Sequence, residues 1–330
     1  MIKYKNILYL DIVETIYTSA IKKELESFSD NVETYYYHDI YIPSIYERIL
    51  CGNRSKNNQA SSVLNFIEYL KTRSYDFILV KSVYAMPVFF FEELCNHFKN
   101  VPIINYNWSS IKMYNVLNYV NLFTKVYSFD REDCLKYNFN YYPLFFIKEF
   151  QDIRINNNIN SQEFIYDLAF IGSGYNAGRL LFLNKMIEII NNKLYYKYFY
   201  IYTPGYKKSM FVRLRYHNLA KYCHWKHLSL NQVLNVFRRS NSMIDHPMII
   251  QSGLTIRTFE TLAAGIHLYT TNTEIANEPF YDNKRITIVN SDLDNFSIKN
   301  EDSTARIKGT WNDSFSEYRI DNWLKNILKI

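Results

Sequence analysis

No uninterrupted apolar run in this sequence reaches the roughly 18 to 20 residues needed to cross a bilayer. The apolar part of Met1-Ile-Lys-Tyr-Lys-Asn-Ile-Leu-Tyr-Leu-Asp11 is short and meets a carboxylate at once. It reads as a first buried strand, not as a signal peptide, and a cytosolic protein is expected. Cysteine is scarce: Cys51, Cys95, Cys134 and Cys223 are scattered, and no pair has zinc or redox spacing. Reduced, structural thiols in a reducing compartment are the expectation. Neither sign of charge dominates. Lys plus Arg number 38 against 32 Asp plus Glu, a net +6 that permits anionic partners without calling for nucleic acid. No internal repeat of solenoid length is present.

What is there suits a globular protein of two domains. The 330 residues suffice for two units of roughly 150, each with a full core. The hydrophobic fraction of 48% is ordinary. The 31 tyrosines and 23 phenylalanines suggest a stacking surface at first sight. They come with abundant Asn, Lys and Ile, which are residues of A/T-rich codons, and genome composition accounts for them better.

Strand and helix alternate through the first half. Strands are expected at Ile7–Leu10, Val32–Tyr37, Asp76–Lys81, Val101–Asn105 and Val126–Phe129. Helices are expected at Ser19–Phe28, Ala60–Lys71, Pro87–Phe98 and Arg131–Tyr137. The run Asp76-Phe-Ile-Leu-Val-Lys81 is apolar almost throughout, as in a strand covered on both faces. Such alternation implies a parallel sheet with right-handed crossovers. The polar stretch Asp152–Gln162 interrupts it and reads as a linker or exposed loop. Alternation resumes with a strand at Tyr166–Gly172, a helix at Arg179–Asn191 and a strand at Tyr196–Tyr202. A basic helix over Lys207–Tyr222, a helix at Asn231–Arg239 and strands at Ser242–Asp245 and Ile286–Val289 follow. The segment Phe315–Ile330 has the spacing of an amphipathic terminal helix.

The most informative stretch is Gln251-Ser-Gly-Leu-Thr-Ile-Arg-Thr-Phe-Glu260-Thr-Leu-Ala-Ala-Gly265-Ile-His-Leu-Tyr-Thr-Thr271. It reads as loop, helix, glycine stop and strand. A helix opened by Gly253, Leu254 and Thr255 offers free backbone N–H groups and the positive end of its dipole, which suits a phosphate. Arg257 in the first turn carries a fork for phosphate oxygens. Glu260, one turn on, is placed to accept from ribose hydroxyls. An ordinary helix–Gly–strand joint of any α/β protein is the plain alternative.

This stretch resembles the nucleotide-binding motif in the second domain of GT-B glycosyltransferases, most of all the bacterial enzymes of capsule, lipopolysaccharide and spore-coat polysaccharide assembly. Val126–Leu144 resembles the end of their first domain, and Asp167–Ser173 their first strand and loop of the second. The first 120 residues match in rhythm alone. The resemblance implies an α/β GT-B fold of two facing Rossmann-like domains with parallel sheets and an inter-domain cleft. It also implies an acceptor domain at residues 1–150, a nucleotide-sugar domain at 151–314, and a C-terminal helix at 315–330 packing back on the first domain. Donors in such sheets bind beyond the carboxyl ends of the strands.

Candidate site residues follow from that placement. Gly172, Ser173 and Gly174 form a loop that a diphosphate could approach, or a simple tight turn. Arg179 opens the next helix and reads equally as a phosphate contact or a surface residue. Thr203 lies in the loop after the next strand, near where the resembling enzymes hold the base. The basic helix after it reads as a solvated face, or as an attractor for an anionic donor or a lipid-linked acceptor at a membrane surface. His246 and Gln251 lead into the main motif, His246 as a phosphate neighbour or a structural loop histidine. Asp11 and Glu14 follow the first strand and are the candidate bases for deprotonating an acceptor hydroxyl, with a helix N-cap as the other reading of Asp11. Asp130 and Asp133 come next, where a cap is the stronger reading for Asp130.

No metal or cofactor is assigned. Histidines 217, 224 and 227 lack zinc spacing, and leaving-group charge is expected to fall to Arg257, the helix dipole and loop amides. The expected activity is metal-independent transfer of a sugar from a nucleotide donor to a hydroxyl of a growing surface glycan. The partners are then a nucleotide-sugar and a glycan or lipid-linked glycan, with peripheral association at the inner face of the membrane and no nucleic acid. A sugar-nucleotide epimerase of the same fold, or a non-catalytic nucleotide- or glycan-binding subunit of polysaccharide assembly, are the alternatives.

Overall fold

The computed structural model describes residues 4–40, 60–155, 165–174, 176–193, 195–248, 250–294, 296–298 and 313–329. The chain divides into two compact units, Met1–Pro143 with Ile320–Ile330, and Leu144–Arg319. Among the described residues no helix is long and apolar enough to cross a membrane.

The first unit holds strands β1 (Tyr4–Asp11), β2 (Ser29–Tyr36), β3 (Phe77–Lys81), β4 (Ile103–Asn107), β5 (Lys125–Ser128) and β6 (Asn140–Tyr141). They form one sheet in the order β2-β1-β3-β4-β5-β6, every described pairing parallel. Helices α1 (Ile16–Phe28), α2 (Tyr37–Ile40), α3 (60–71), α4 (Val88–His97) and α5 (Arg131–Tyr137) belong to the same unit. Ile7, Leu8, Tyr9 and Leu10 have no exposed surface. Consecutive burial means that both faces of β1 are covered, as parallel sheets require. Thr15, not Asp11, caps α1, through a reciprocal capping box with Thr18. The N-cap reading of Asp11 is therefore replaced by another role.

The second unit holds α6 (Lys148–Ile155), β7 (Leu168–Ser173), α7 (Ala177–Asn192), β8 (Lys197–Tyr202), α8 (Tyr206–Arg215), β9 (Cys223–His224) and α9 (Leu230–Arg238). It continues through β10 (Ser242–Asp245), α10 (Ile256–Ala263), β11 (His267–Thr270) and β12 (Ile286–Ile288). Its sheet runs β12-β11-β10-β7-β8-β9, again parallel throughout the described pairings.

Three segments differ from expectation. Part of the polar stretch read as a linker is helical, since α6 extends to Ile155; residues 156–162 lie outside the described residues. The basic helix ends at Arg215, and Tyr216, at φ −126°, turns the chain into a tighter 3-10 segment at His217–Tyr222. The terminal segment is two pieces: a 3-10 turn at Asp313–Tyr318, then α11 (Ile320–Leu328). Arg319 sits between them in an isolated parallel bridge with Phe146, which breaks the helical pattern. Phe315 packs on Phe146, Phe259 and Phe280 in the second unit. Helix α11 packs in the first, where Trp323 Nε1 donates to Pro143 O at 2.8 Å.

Candidate functional site

Strand order reverses beside β7 in the second unit. From β7 the chain proceeds to β8 and β9 on one side, then returns to β10, β11 and β12 on the other. Such a switch point splays the loops beyond the strand ends and leaves a crevice where ligands bind. The described residues there are Ser173, Gly174 and Asn176 after β7, and His246–Met248 and Ile250–Thr255 after β10.

Arg179 bridges them. It is the third residue of α7, whose N-cap Asn176 accepts from the Arg179 N–H at 3.2 Å. Its Nε donates to His246 O at 2.8 Å, and its Nη1 donates to Ser173 O and Ser173 Oγ, each at 3.1 Å. The guanidinium thus ties the two loops together. Burial lowers its pKa, and Asp245 pulls it back up.

His246 is buried and lies flat on the Phe182 ring, with centroids 4.1 Å apart. Its Nδ1 is 2.8 Å from Thr271 Oγ1. Burial, and then the Arg179 charge, push its pKa down to about 4, so the ring is neutral near pH 7. Asp245, at the end of β10, accepts from Thr255 Oγ1 at 2.7 Å and Thr258 Oγ1 at 3.1 Å. Burial raises its pKa against the pull of those hydroxyls and of Arg179 and Arg257.

The hydroxyl of Thr255 is therefore occupied. Thr255 is the N-cap of α10 by backbone conformation, yet its side chain makes no cap hydrogen bond. The helix opens onto the switch point without a side-chain cap, the condition under which first-turn amides serve an anion. Asn272 fixes the approach, its Nδ2 donating to Ser252 O at 3.0 Å and Gly253 O at 3.2 Å. Leu254 is buried beneath this loop, and the Gln251 N–H donates to Met248 O at 2.9 Å.

Arg257 and Glu260 are turned toward each other. Arg257 Nη1 lies 2.6 Å from Glu260 Oε2, an ion pair without the alignment of a hydrogen bond. The guanidinium carbon sits 5.2 Å from the Phe237 ring centre on α9, and Glu260 has no exposed surface. Neither charge projects from the helix start in this conformation.

The two glycines of the β7 loop have packing reasons. A Cβ on Gly172 would stand 2.7 Å from the Phe170 ring, and one on Gly174 would stand 2.9 Å from Thr203 Cγ2 and 3.0 Å from Ile201 Cγ2. Thr203 is itself fully buried, its N–H and Oγ1 both directed to His224 O at 2.8 and 3.3 Å.

The first unit has its own switch point, between β1 and β3. Asp11 ends β1 and Lys81 ends β3. Lys81 Nζ donates to Asp11 Oδ2 at 2.8 Å, and Tyr9 Oη donates to the same oxygen at 2.6 Å. Asp11 Oδ1 accepts the Ile12 N–H at 2.7 Å. The Lys81 ammonium also lies 4.4 Å from the ring centre of Trp108, and the Trp108 and Tyr17 ring centres are 5.9 Å apart. Glu14 is exposed and accepts from Ser19 Oγ at 3.2 Å, so the structure does not bring it to Asp11's partners. Asp130 caps α5, accepting the Asp133 N–H at 3.2 Å, while Asp133 accepts the Ile111 N–H at 2.7 Å.

Sequence reasoning missed Lys81, Trp108, Asp245 and Asn272. The available signal was a charged residue closing an apolar strand, at Lys81 and again at Asp245. It also passed over Asp292-Leu-Asp294, an Asp-x-Asp after β12; both carboxylates are exposed beyond an edge strand, three places from β7.

No protein-family model matches the chain, and no curated protein matches its sequence significantly. Solved structures do resemble it. The α,α-trehalose 6-phosphate synthase of Burkholderia multivorans superposes with a TM-score of 0.64 at 9% identity, over 99% of this chain and 96% of that one. The E. coli trehalose-6-phosphate protein bound with UDP-2-fluoro glucose gives 0.57 at 12% identity, over 98% of both chains. The UDP-GlcNAc 2-epimerase of Methanocaldococcus jannaschii, in complex with UDP-GlcNAc and UDP, gives 0.55 at 10%, over 98% and 99%. The chain has a two-domain, Rossmann-like GT-B fold. At these identities the likeness is one of architecture.

Proposed function

We propose that this protein is a glycosyltransferase that takes a sugar from a nucleotide-activated donor and passes it to a hydroxyl of a growing glycan. The observation that carries this reading is Arg179 bridging Ser173 and His246 at the switch point, beside the uncapped start of α10. In this reading a diphosphate sits beside this cation and the helix N-terminus. As the bond from anomeric carbon to diphosphate oxygen breaks, they take the charge that forms on the leaving group, without a metal. Arg257 and Glu260 part to meet the diphosphate and the ribose. Asp11, held by Lys81 and Tyr9, receives the proton of the acceptor hydroxyl. The surface-polysaccharide assignment of the acceptor rests on the motif resemblance at residues 251–271.

A melting-temperature panel tests the donor site: UDP, GDP, ADP, CDP, dTDP and CMP, with and without magnesium. A nucleotide at a hundredfold excess over its Kd stabilises the native state by about 2.7 kcal/mol, a readily visible shift. One nucleotide should raise the melting temperature of the native protein, and Arg179→Ala and Arg179→Lys should both lose that rise. No shift with any nucleotide would overturn the reading.

Epimerisation of the donor itself is the second reading, favoured by the equal coverage of the epimerase structure. Proton NMR of a nucleotide-sugar incubated with the protein, without any acceptor, separates the two. A second anomeric signal indicates epimerisation, and an unchanged donor supports transfer.

A further inference from the structure

Helix α8 inverts the usual relation between a surface helix and its core. Its buried residues are Ser209 and Val212. Its apolar bulk points outward: Tyr206 is 66% exposed, Phe211 60%, Leu214 75% and Met210 38%. At about 100° per residue, Tyr206, Met210 and Leu214 fall within about 80° of arc, with Phe211 about 60° beyond. A helix in a globular protein normally turns such a stripe inward. Scattered exposed apolar residues need no account, but four on one helix of ten residues do.

Cations surround the stripe. Lys207, Lys208, Arg213 and Arg215 are all exposed on the same helix. Arg213 Nη2 donates to Cys223 O at 2.7 Å and ties α8 to β9. Two residues further, Trp225 is 52% exposed with Lys226 Nζ 5.1 Å from its ring centre. Residues 189–244 contain ten Lys and Arg and no Asp or Glu. The whole chain is +6, so the rest of it carries −4, and the positive charge is concentrated in the stretch of sequence that contains this helix.

A soluble anion or a nucleic acid would use the cations but has no need of exposed Met210, Phe211 and Leu214. A cationic helix with an outward aliphatic and aromatic face matches the boundary between lipid headgroups and acyl chains, where tyrosine and tryptophan also favour the interface. We infer that α8 docks this protein on an anionic phospholipid bilayer, lying in the interface plane with Met210, Phe211 and Leu214 inserted and the lysines and arginines among the headgroup phosphates. The inference is independent of the donor reading, since docking and nucleotide binding use different elements of the second unit.

The test is co-sedimentation of the full chain with vesicles of phosphatidylcholine alone and with a phosphatidylcholine–phosphatidylglycerol mixture. The protein should sediment with the anionic vesicles and not with the neutral ones. Phe211→Ser/Leu214→Ser leaves the charge unchanged and should weaken vesicle binding at least about tenfold. Lys207→Gln/Lys208→Gln should weaken it comparably and flatten its salt dependence. All four positions are exposed, and an unchanged melting temperature checks that each variant folds. Absence of binding to anionic vesicles would overturn the inference. So would binding that Phe211→Ser/Leu214→Ser leaves intact, or a lipid-free dimer that this variant abolishes, which would assign the face to a second copy of the chain.

Discussion

Lys81 Nζ and Asp11 Oδ2 meet at 2.8 Å across the switch point of the first sheet, with side chains only 12% and 2% exposed. Two charges this far from water depend on each other. Removing one leaves the other desolvated and unmatched, typically at a loss of about 3–5 kcal/mol, whereas replacing both is far milder. Lys81→Met should therefore lower unfolding free energy by roughly 3 kcal/mol. Lys81→Met/Asp11→Asn should recover part of that loss, with a coupling above about 1 kcal/mol. Urea unfolding of the three variants measures it. Additive losses would mean that the pair contributes nothing beyond its separate members.

Arg257 and Glu260 form a second closed pair, 14% and 0% exposed. Glu260→Ala should strip the guanidinium over Phe237 of its ion-pair partner, leaving only the more distant pull of Asp245, and cost about 3 kcal/mol. The double variant Arg257→Leu/Glu260→Leu should cost less than Glu260→Ala alone. Denaturant midpoints of the two variants decide this. The reverse order would show that the carboxylate is held by contacts other than Arg257.

Alternation of apolar strand and helix made both parallel sheets legible, because a strand buried on two faces must be apolar nearly throughout. The strand that ends at Asp245 and the helix at Arg131–Tyr137 fall where periodicity puts them. The site was less legible, because side-chain direction is a tertiary property. Nothing local says that Arg257 folds back over Phe237, twenty residues earlier in the chain, or that Arg179 reaches across to His246 O. Gly172 and Gly174 read as an approach for a diphosphate or as a tight turn, and the sequence does not say that the atoms a side chain there would meet are Phe170 two residues back, Ile201 on β8 and Thr203 just after it. Lys81 closes an apolar strand, and its meaning emerges once β1 lies beside β3.

Gly174 offers a local test of that packing. A methyl there would press on Thr203 Cγ2 at 2.9 Å and Ile201 Cγ2 at 3.0 Å inside a filled core. Overpacking of this kind costs about 1–3 kcal/mol. Gly174→Ala should destabilise by that amount, and adding Thr203→Ser, which removes the nearer methyl, should return part of it. Thermal or urea unfolding of the single and double variants reads the effect. If Gly174→Ala were neutral and still abolished nucleotide binding, the glycine would be serving a ligand and not the β8 loop.

His246 gives the second unit a pH signature whose sign is fixed by its burial. Its pKa is about 4 in the folded protein, against an ordinary value near 6.5. Between those limits the unfolded chain binds a proton that the folded chain does not. Stability from this residue is therefore complete above about pH 6.5 and declines as pH falls toward 4, by at most about 2–3 kcal/mol. Asp245 acts in the opposite sense. Its raised pKa lets the folded carboxyl take up a proton before the unfolded one, which offsets part of the decline. The difference between the native protein and His246→Gln removes the Asp245 contribution common to both. Measured by urea unfolding from pH 7.5 down to about 4.5, the native protein's advantage over the variant should be constant above about pH 7 and shrink below 6.5. Parallel curves would mean that the imidazole beside Phe182 and Thr271 titrates as it does in the unfolded chain, and the neutral ring assigned to the crevice would have to be abandoned.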